Sequence, residues 1–199
     1  CLVLITPDAE RSMNTYLGIS ETLSVAQLDE QAIADSEYLY IEGYLVTSPT
    51  GRAAAVRARE IAEAAGVKTS LSFSDPGMVE FFRDGIAEII GDRLDLVFCN
   101  RDEALGWAGS DNMDDAIAAL KAVANSFVIT LGGDGALTWD GAELAEIPPH
   151  RVEAVDTNGA GDMFAGAFLY AITRGEDFPT AGRFASLAAG KIVANYGPR

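Results

Sequence analysis

The chain has 199 residues, 49% of them hydrophobic, enough for one sizeable buried core. Fourteen Lys plus Arg stand against thirty Asp plus Glu, a formal net charge of -16 at pH 7, which would repel a nucleic-acid backbone or an anionic membrane surface and argues against either partner. Cys1 and Cys99 make no disulfide framework, no signal peptide or apolar run of membrane length is present, and a reducing cytoplasm is the expected compartment.

In chain order, Leu2 to Thr6 and Met13 to Leu17 read as short strands joined by the polar turn Pro7-Asp8-Ala9-Glu10-Arg11, a hairpin. Ser24 and Gln27 have capping-box spacing for a helix through about Ala34, and Tyr38 to Ile41 reads as a buried strand. Ser48-Pro49 supplies an N-cap and first helical residue, Ala53 to Ala65 continues the helix and Gly66 ends it. Strands are expected at Val67 to Phe73 and Leu94 to Cys99, then a helix from near Asn100, another over Asp114 to Ala124, and a strand over Phe127 to Leu131. Gly135 to Trp139 and Glu143 to Ile147 flank Asp140-Gly141 as a second hairpin. Val152, Ala154 and Val155 look like the end of a strand; helices over Ala160 to Thr173 and about Thr180 to Asn195 follow, with Gly197-Pro198 as the stop. This alternation favours an α/β fold, a mostly parallel sheet covered by helices, in one domain without internal repeats. In such sheets ligands gather at the carboxyl ends of strands, here after Cys99, Thr130 and Val155.

The most informative segment is Asp156-Thr157-Asn158-Gly159-Ala160-Gly161-Asp162, at the opening of an apolar helix. Backbone N–H groups there lack intrahelical partners and carry the positive end of the helix dipole, so they can hold a developing phosphoryl charge, and glycine lets a ligand approach them. Asp162, in the first turn, can accept a proton from an attacking hydroxyl. Taken alone, Gly-Ala-Gly also fits an ordinary helix start after a turn.

The heptad resembles a signature of the PfkB, or ribokinase-like, family of carbohydrate and nucleoside kinases, Asp-Thr-x-Gly-Ala-Gly-Asp, at every position outside the variable Asn158. The resemblance implies a three-layer α/β/α fold, Asp162 as catalytic base, Gly159, Ala160 and Gly161 as an anion hole, ATP and magnesium as cofactors, and a monovalent cation such as potassium near Asp156. It further implies a small-molecule nucleoside or sugar substrate; a homodimer is a separate expectation for the assembly. No counterpart of the family's N-terminal segment precedes Cys1, so the chain is expected to be a partial kinase domain, its substrate side over about 1–45 and its nucleotide-binding and catalytic segment over about 46–199.

Asn100-Arg101-Asp102-Glu103 resembles the family's Asn-x-x-Glu motif, which organises magnesium and phosphates through water; the same residues also fit a capping box, and the two roles are compatible. Thr130-Leu131-Gly132-Gly133-Asp134-Gly135 resembles the family's nucleotide-binding turn, with Thr130 on a phosphate and Gly132 and Gly135 giving close approach, although a Gly-rich turn between strands is also common for geometric reasons alone. It lacks the Lys-Ser/Thr ending of a Walker loop. Asn195 is a candidate contact to base or ribose, or a polar helix end. The opening hairpin and Tyr40-Ile41-Glu42-Gly43-Tyr44-Leu45 look like bacterial adenosine-kinase-like members, which makes Arg11 a candidate cation for the transferred phosphate or, equally, a solvated turn residue. Tyr16, Tyr40 and Tyr44 could flank a base, although strand aromatics are more often core. His150 has no triad partners and reads as a surface residue.

An ATP-dependent kinase acting on adenosine is therefore the leading expectation, with a fructose or ribose kinase second and a nucleotide-binding protein without catalysis third. A dinucleotide-binding oxidoreductase is disfavoured because no third fingerprint glycine follows Gly161 before the helix is established.

Overall fold

A computed structural model describes residues 1–9 and 11–198, and of Arg11 the backbone only. The chain divides into two compact units, one made of Cys1–Leu17 with Thr130–Arg199 and the other of Gly18–Ile129. In the first, β1 (Leu2–Ile5) and β2 (Arg11–Asn14) pair antiparallel, with Leu2 opposite Asn14 and Ile5 opposite Arg11. The second strand thus begins two residues before the expected Met13 and stops short of Leu17.

The second unit begins with short 3-10 turns. Ser24 and Gln27 do form their capping box, but on the single turn Val25–Gln27 rather than on a long helix. Asp29 then starts afresh as N-cap of α1 (Glu30–Ala34), because Leu28 is extended (ψ 129) and interrupts the helical path. Strand β3 (Tyr38–Glu42) leads through a 3-10 turn to α2 (Pro49–Ala65). Ser48 Oγ accepts the Gly51 N–H at 3.3 Å, Pro49 opens the helix, and Gly66 closes it in the left-handed conformation at φ 73.

Strand β4 (Lys68–Ser72) pairs parallel with β3, and β5 (Leu94–Asn100) pairs parallel with β4. Between β4 and β5 lie two helices that the sequence reading left unassigned, α3 (Pro76–Phe81) and α4 (Arg83–Ile90). Their signals were present: Asp75-Pro76 is a cap followed by an N1 proline, and Ile86, Ile89 and Ile90 have helical spacing and are buried. Helices α5 (Arg101–Ala108) and α6 (Met113–Val123) follow, then β6 (Ala124–Thr130) beside β5. Leu94, Leu96 and Val97 of β5 and Phe127, Val128 and Ile129 of β6 are all fully buried. Such unbroken apolar runs are what strands covered on both faces require.

The first unit resumes with the antiparallel hairpin β7 (Ala136–Trp139) and β8 (Leu144–Ile147), then α7 (Ala160–Ile172) and α8 (Phe178–Val193) packed on each other. Phe168 is fully buried between them and meets the Phe178 ring edge-on at 5.0 Å. Residues 152–155 do not form the expected strand. The Val155 and Asp156 N–H groups both point to one carbonyl, Val193 O, at 2.7 and 3.2 Å, so the segment is tied to the end of α8 rather than to a ladder.

Candidate active site

The heptad folds as a loop and a helix start. Gly159 is the N-cap of α7 with φ 78 and ψ 1, a left-handed conformation in which a β-carbon would be strained. With no side chain at the cap, the first-turn amides have only local partners. The Ala160 N–H reaches Thr157 O at 3.3 Å, whereas the Gly161 and Asp162 N–H groups have no partner among the described residues. Both residues are exposed, and a β-carbon on Gly161 would meet nothing within 4 Å, so the approach to these amides is open. The Asp162 carboxylate stands in the same turn and makes no hydrogen bond or ion pair among the described residues. An open pair of helix-dipole amides beside an exposed carboxylate can bind an anion and take up a proton within one turn of chain.

Behind this opening the loop is rigidly held. Asp156 is 1% exposed, and its two oxygens accept the Asn158 N–H at 2.9 Å and the Gly197 N–H at 2.8 Å. Asn195, exposed at the end of α8, donates from its side-chain nitrogen to Lys191 O at 3.1 Å, so in this structure it acts as a helix end.

In the turn after β6, Leu131 N–H bonds to Gly135 O at 2.8 Å and Gly135 N–H to Gly132 O at 3.2 Å. Gly132 is exposed, at φ 60, with open space around its α-carbon. Gly135 is buried; its φ is 100 and a β-carbon there would strike the Ile147 carbonyl oxygen. Packing against β8 therefore already demands glycine at 135, independently of any ligand. Thr130 is the last residue of β6 and half-buried. The side chain of Arg11, the candidate phosphate cation, lies outside the described residues.

In the other unit, Asn100 and Glu103 form a complete capping box at the carboxyl end of β5. Asn100 Oδ1 accepts the Glu103 N–H at 2.8 Å; Glu103 accepts the Asn100 backbone N–H at 2.9 Å and its side-chain N–H at 2.7 Å. Glu103 is only 4% exposed, and burial pushes its carboxyl up to about 7; the Asn100 N–H opposes that rise, and the charges of Asp75 and Asp102 add to it. Asp75, the N-cap of α3, thus belongs to the electrostatic surroundings of this motif. It was missed in the sequence because Asp75 follows β4 and Glu103 follows β5, and only the pairing of those strands relates them. Among the described residues no cluster of three His, Cys, Asp or Glu side chains can cage a metal. A magnesium ion here would therefore rely on water and phosphate oxygens with few protein ligands, and the donor set fits that habit of the ion.

Of the remaining sequence candidates, Tyr16 is 87% exposed, Tyr44 donates to Ser74 O at 3.2 Å, and Tyr40 packs edge-on against Phe98. His150 is exposed. Cys99 is a buried thiol whose pKa is raised by burial and by the Glu103 charge, consistent with a structural cysteine. Among the described residues no helix is long and apolar enough to cross a membrane.

The family model of the pfkB family carbohydrate kinases matches residues 1–199, end to end. The chain belongs to that family. It is 30% identical to an adenosine kinase of Schizophyllum commune over 100% of this chain and 63% of that protein. The adenosine kinase structure from Sinorhizobium meliloti superposes with a TM-score of 0.94 at 35% identity, covering 99% of this chain and 61% of that one. A probable sugar kinase from Rhizobium etli CFN 42 does so with the same TM-score and identity, over 99% and 60%. The fold is thus the ribokinase-like α/β fold expected, with mostly parallel strands and the antiparallel β7–β8 pair making the set mixed. The chain spans about three fifths of the length of these relatives.

Proposed function

We propose that the protein transfers the γ-phosphate of ATP to a hydroxymethyl group of a nucleoside, adenosine being the first choice. The observation that carries this reading is the pair of amides at Gly161 and Asp162, without partners among the described residues, beside the exposed Asp162 carboxylate. The substrate hydroxyl oxygen attacks the γ-phosphorus, the bond to the bridging oxygen breaks to release ADP, and the hydroxyl proton passes to Asp162. The α7 amides offset charge that builds on the transferred group. Thr130, Gly132 and Asn195 are the proposed nucleotide contacts, Arg11 the cation near the transferred phosphate, and Asp156 the residue nearest a monovalent cation. Gly135 serves the nucleotide turn by letting it pack on β8. Bound magnesium would offset phosphate charge; Asn100 and Glu103 would orient its water shell, which suits a buried carboxylate already braced by its neighbour.

Similarity to the adenosine kinases supports the nucleoside, while the equal likeness to a probable sugar kinase supports fructose or ribose as a second reading. The test is ATP consumption by the protein expressed from its complete reading frame, with adenosine, fructose and ribose compared by kcat/KM. Preference for a sugar overturns the substrate. ATP binding without acceptor-dependent turnover overturns catalysis and leaves a nucleotide-binding protein.

A further inference from the structure

Three stretches of the first unit meet at the loop preceding α7. Thr157 donates both its backbone N–H and its hydroxyl to Ala9 O, at 3.4 and 3.1 Å, and Ala9 is itself 3% exposed in the turn between β1 and β2. Val155 and Asp156 donate to Val193 O at the end of α8. Asp156 then reaches past its own loop to the Gly197 N–H at 2.8 Å. On the other side of that contact, a β-carbon at position 159 would lie 2.8 Å from Pro198 Cβ, so the turn at 195–198 sits directly against the α7 N-cap. A fully buried carboxylate is costly unless its oxygens accept hydrogen bonds, and here those bonds come from backbone groups on two separate segments.

We propose that Asp156 is a positioning residue. It fastens the 195–198 turn to the α7 N-cap and thereby fixes the direction of the Gly161 and Asp162 amides. This deepens the kinase reading and rests on it for its catalytic consequence, though not for its structural one. An anion hole works by having its dipoles already aimed, so loosening the loop weakens stabilisation of the transferring group more than it weakens nucleotide binding. Asp156 therefore acts through the amides and touches no reacting atom.

Two variants test it, with amide hydrogen exchange and kinetics read on each. Asp156→Asn keeps the size of the side chain but presents only one accepting oxygen. Pro198→Gly leaves the Asp156 carboxylate intact, and any cation beside it, while removing the contact on Gly159. Both should speed exchange about tenfold or more at Gly197 and at Met163, whose N–H bonds to Gly159 O at the α7 N-cap at 2.9 Å, Asp156→Asn the more strongly, and both should lower kcat with a smaller change in KM for ATP. The effects should be less than additive in the double variant, since both release one contact. Measurement in potassium and in sodium salts separates this role from cation binding, because the Pro198→Gly defect should be the same in both. Unchanged exchange at Met163 when Gly197 is released overturns the proposal, as does faster exchange with unaltered kcat in an active enzyme. If Asp156→Asn does not fold, Pro198→Gly decides alone. If no acceptor is phosphorylated, the exchange readout still decides the fastening, while the kinase reading fails separately.

Discussion

Burying a carboxylate is tolerated when its oxygens find donors, and Glu103 meets that condition twice through Asn100. The cost that remains is visible in its carboxyl, raised from 4.5 to about 7. Below pH 4.5 folded and unfolded chains both hold the proton. Between 4.5 and 7 the unfolded chain releases it while the folded one retains it, so stability falls as pH rises, and above 7 the loss is complete. The full difference corresponds to on the order of 3 kcal/mol. Urea unfolding across this range should show the decline in the wild type relative to Glu103→Gln, which has no proton to release; parallel curves for the two would remove the buried-acid account. The same substitution should raise the magnesium concentration needed for half-maximal rate. A change in thermal stability alone would leave Glu103 as a cap and nothing more. Asp162 lies at the opposite extreme, exposed and without a partner among the described residues. Asp162→Asn should lower turnover by roughly two to four orders of magnitude with ATP affinity largely retained, the loss expected when a general base is removed. Near-normal turnover in a folded Asp162→Asn protein would reject the role.

Helix ends in this chain separate into two kinds. At α1, α2, α3, α5, α6 and α8 a Ser, Asp or Asn side chain accepts a first-turn amide, whereas α4 begins after Phe82 and α7 at Gly159 with no side-chain cap. A capped helix has already spent its free donors; an uncapped one keeps them for a ligand. Ser48→Ala should therefore cost about 1 kcal/mol of stability and leave nucleotide binding alone. Carboxyl ends matter too. Arg93 donates to Lys121 O at 3.0 Å, Ala122 O at 3.2 Å and Ala124 O at 3.4 Å, closing α6 with a charged fork. Arg93→Ala should cost about 1–2 kcal/mol, since charged donors to carbonyls lie above the average hydrogen bond. Chemical denaturation measures both, and an Arg93→Ala protein as stable as wild type would mean that water replaces the fork without loss.

For the molecule as a whole, the net charge of -16 is the dominant long-range term. Self-repulsion of that size opposes the compact state, and salt screens it. The attractive pairs that salt would also weaken, such as Arg52–Glu88 and Arg57–Glu30, lie at exposed positions where ion pairs contribute little. Raising sodium chloride from about 0.01 to 0.1 M, which shortens the Debye length from about 30 to 10 Å, should therefore increase Tm. A gain of about 1 kcal/mol corresponds to roughly 2–4 °C for a chain of this size. A Tm that falls with salt would show that the local pairs outweigh the net repulsion.

Local chemistry was legible in the order of residues. Ser48-Pro49 followed by Gly66 bounds α2 because caps and stops act over a few residues, and the heptad at 156–162 announced both its helix start and its family before any fold was in view. The buried runs of β5 and β6 were equally plain, since a strand covered on both faces has no polar alternation to confuse it. Contacts between distant segments were not. Residues 152–155 have strand-like composition, yet the Val155 amide, with that of Asp156, goes to the end of α8, and no local pattern records which carbonyl a chain will meet some forty residues later. For the same reason the sequence pointed to a cation near Asp156 but to none of the backbone groups its carboxylate meets. Only the folded chain brings Gly197 to its carboxylate and Pro198 to Gly159, and only burial turns Glu103 into an acid that titrates near neutrality.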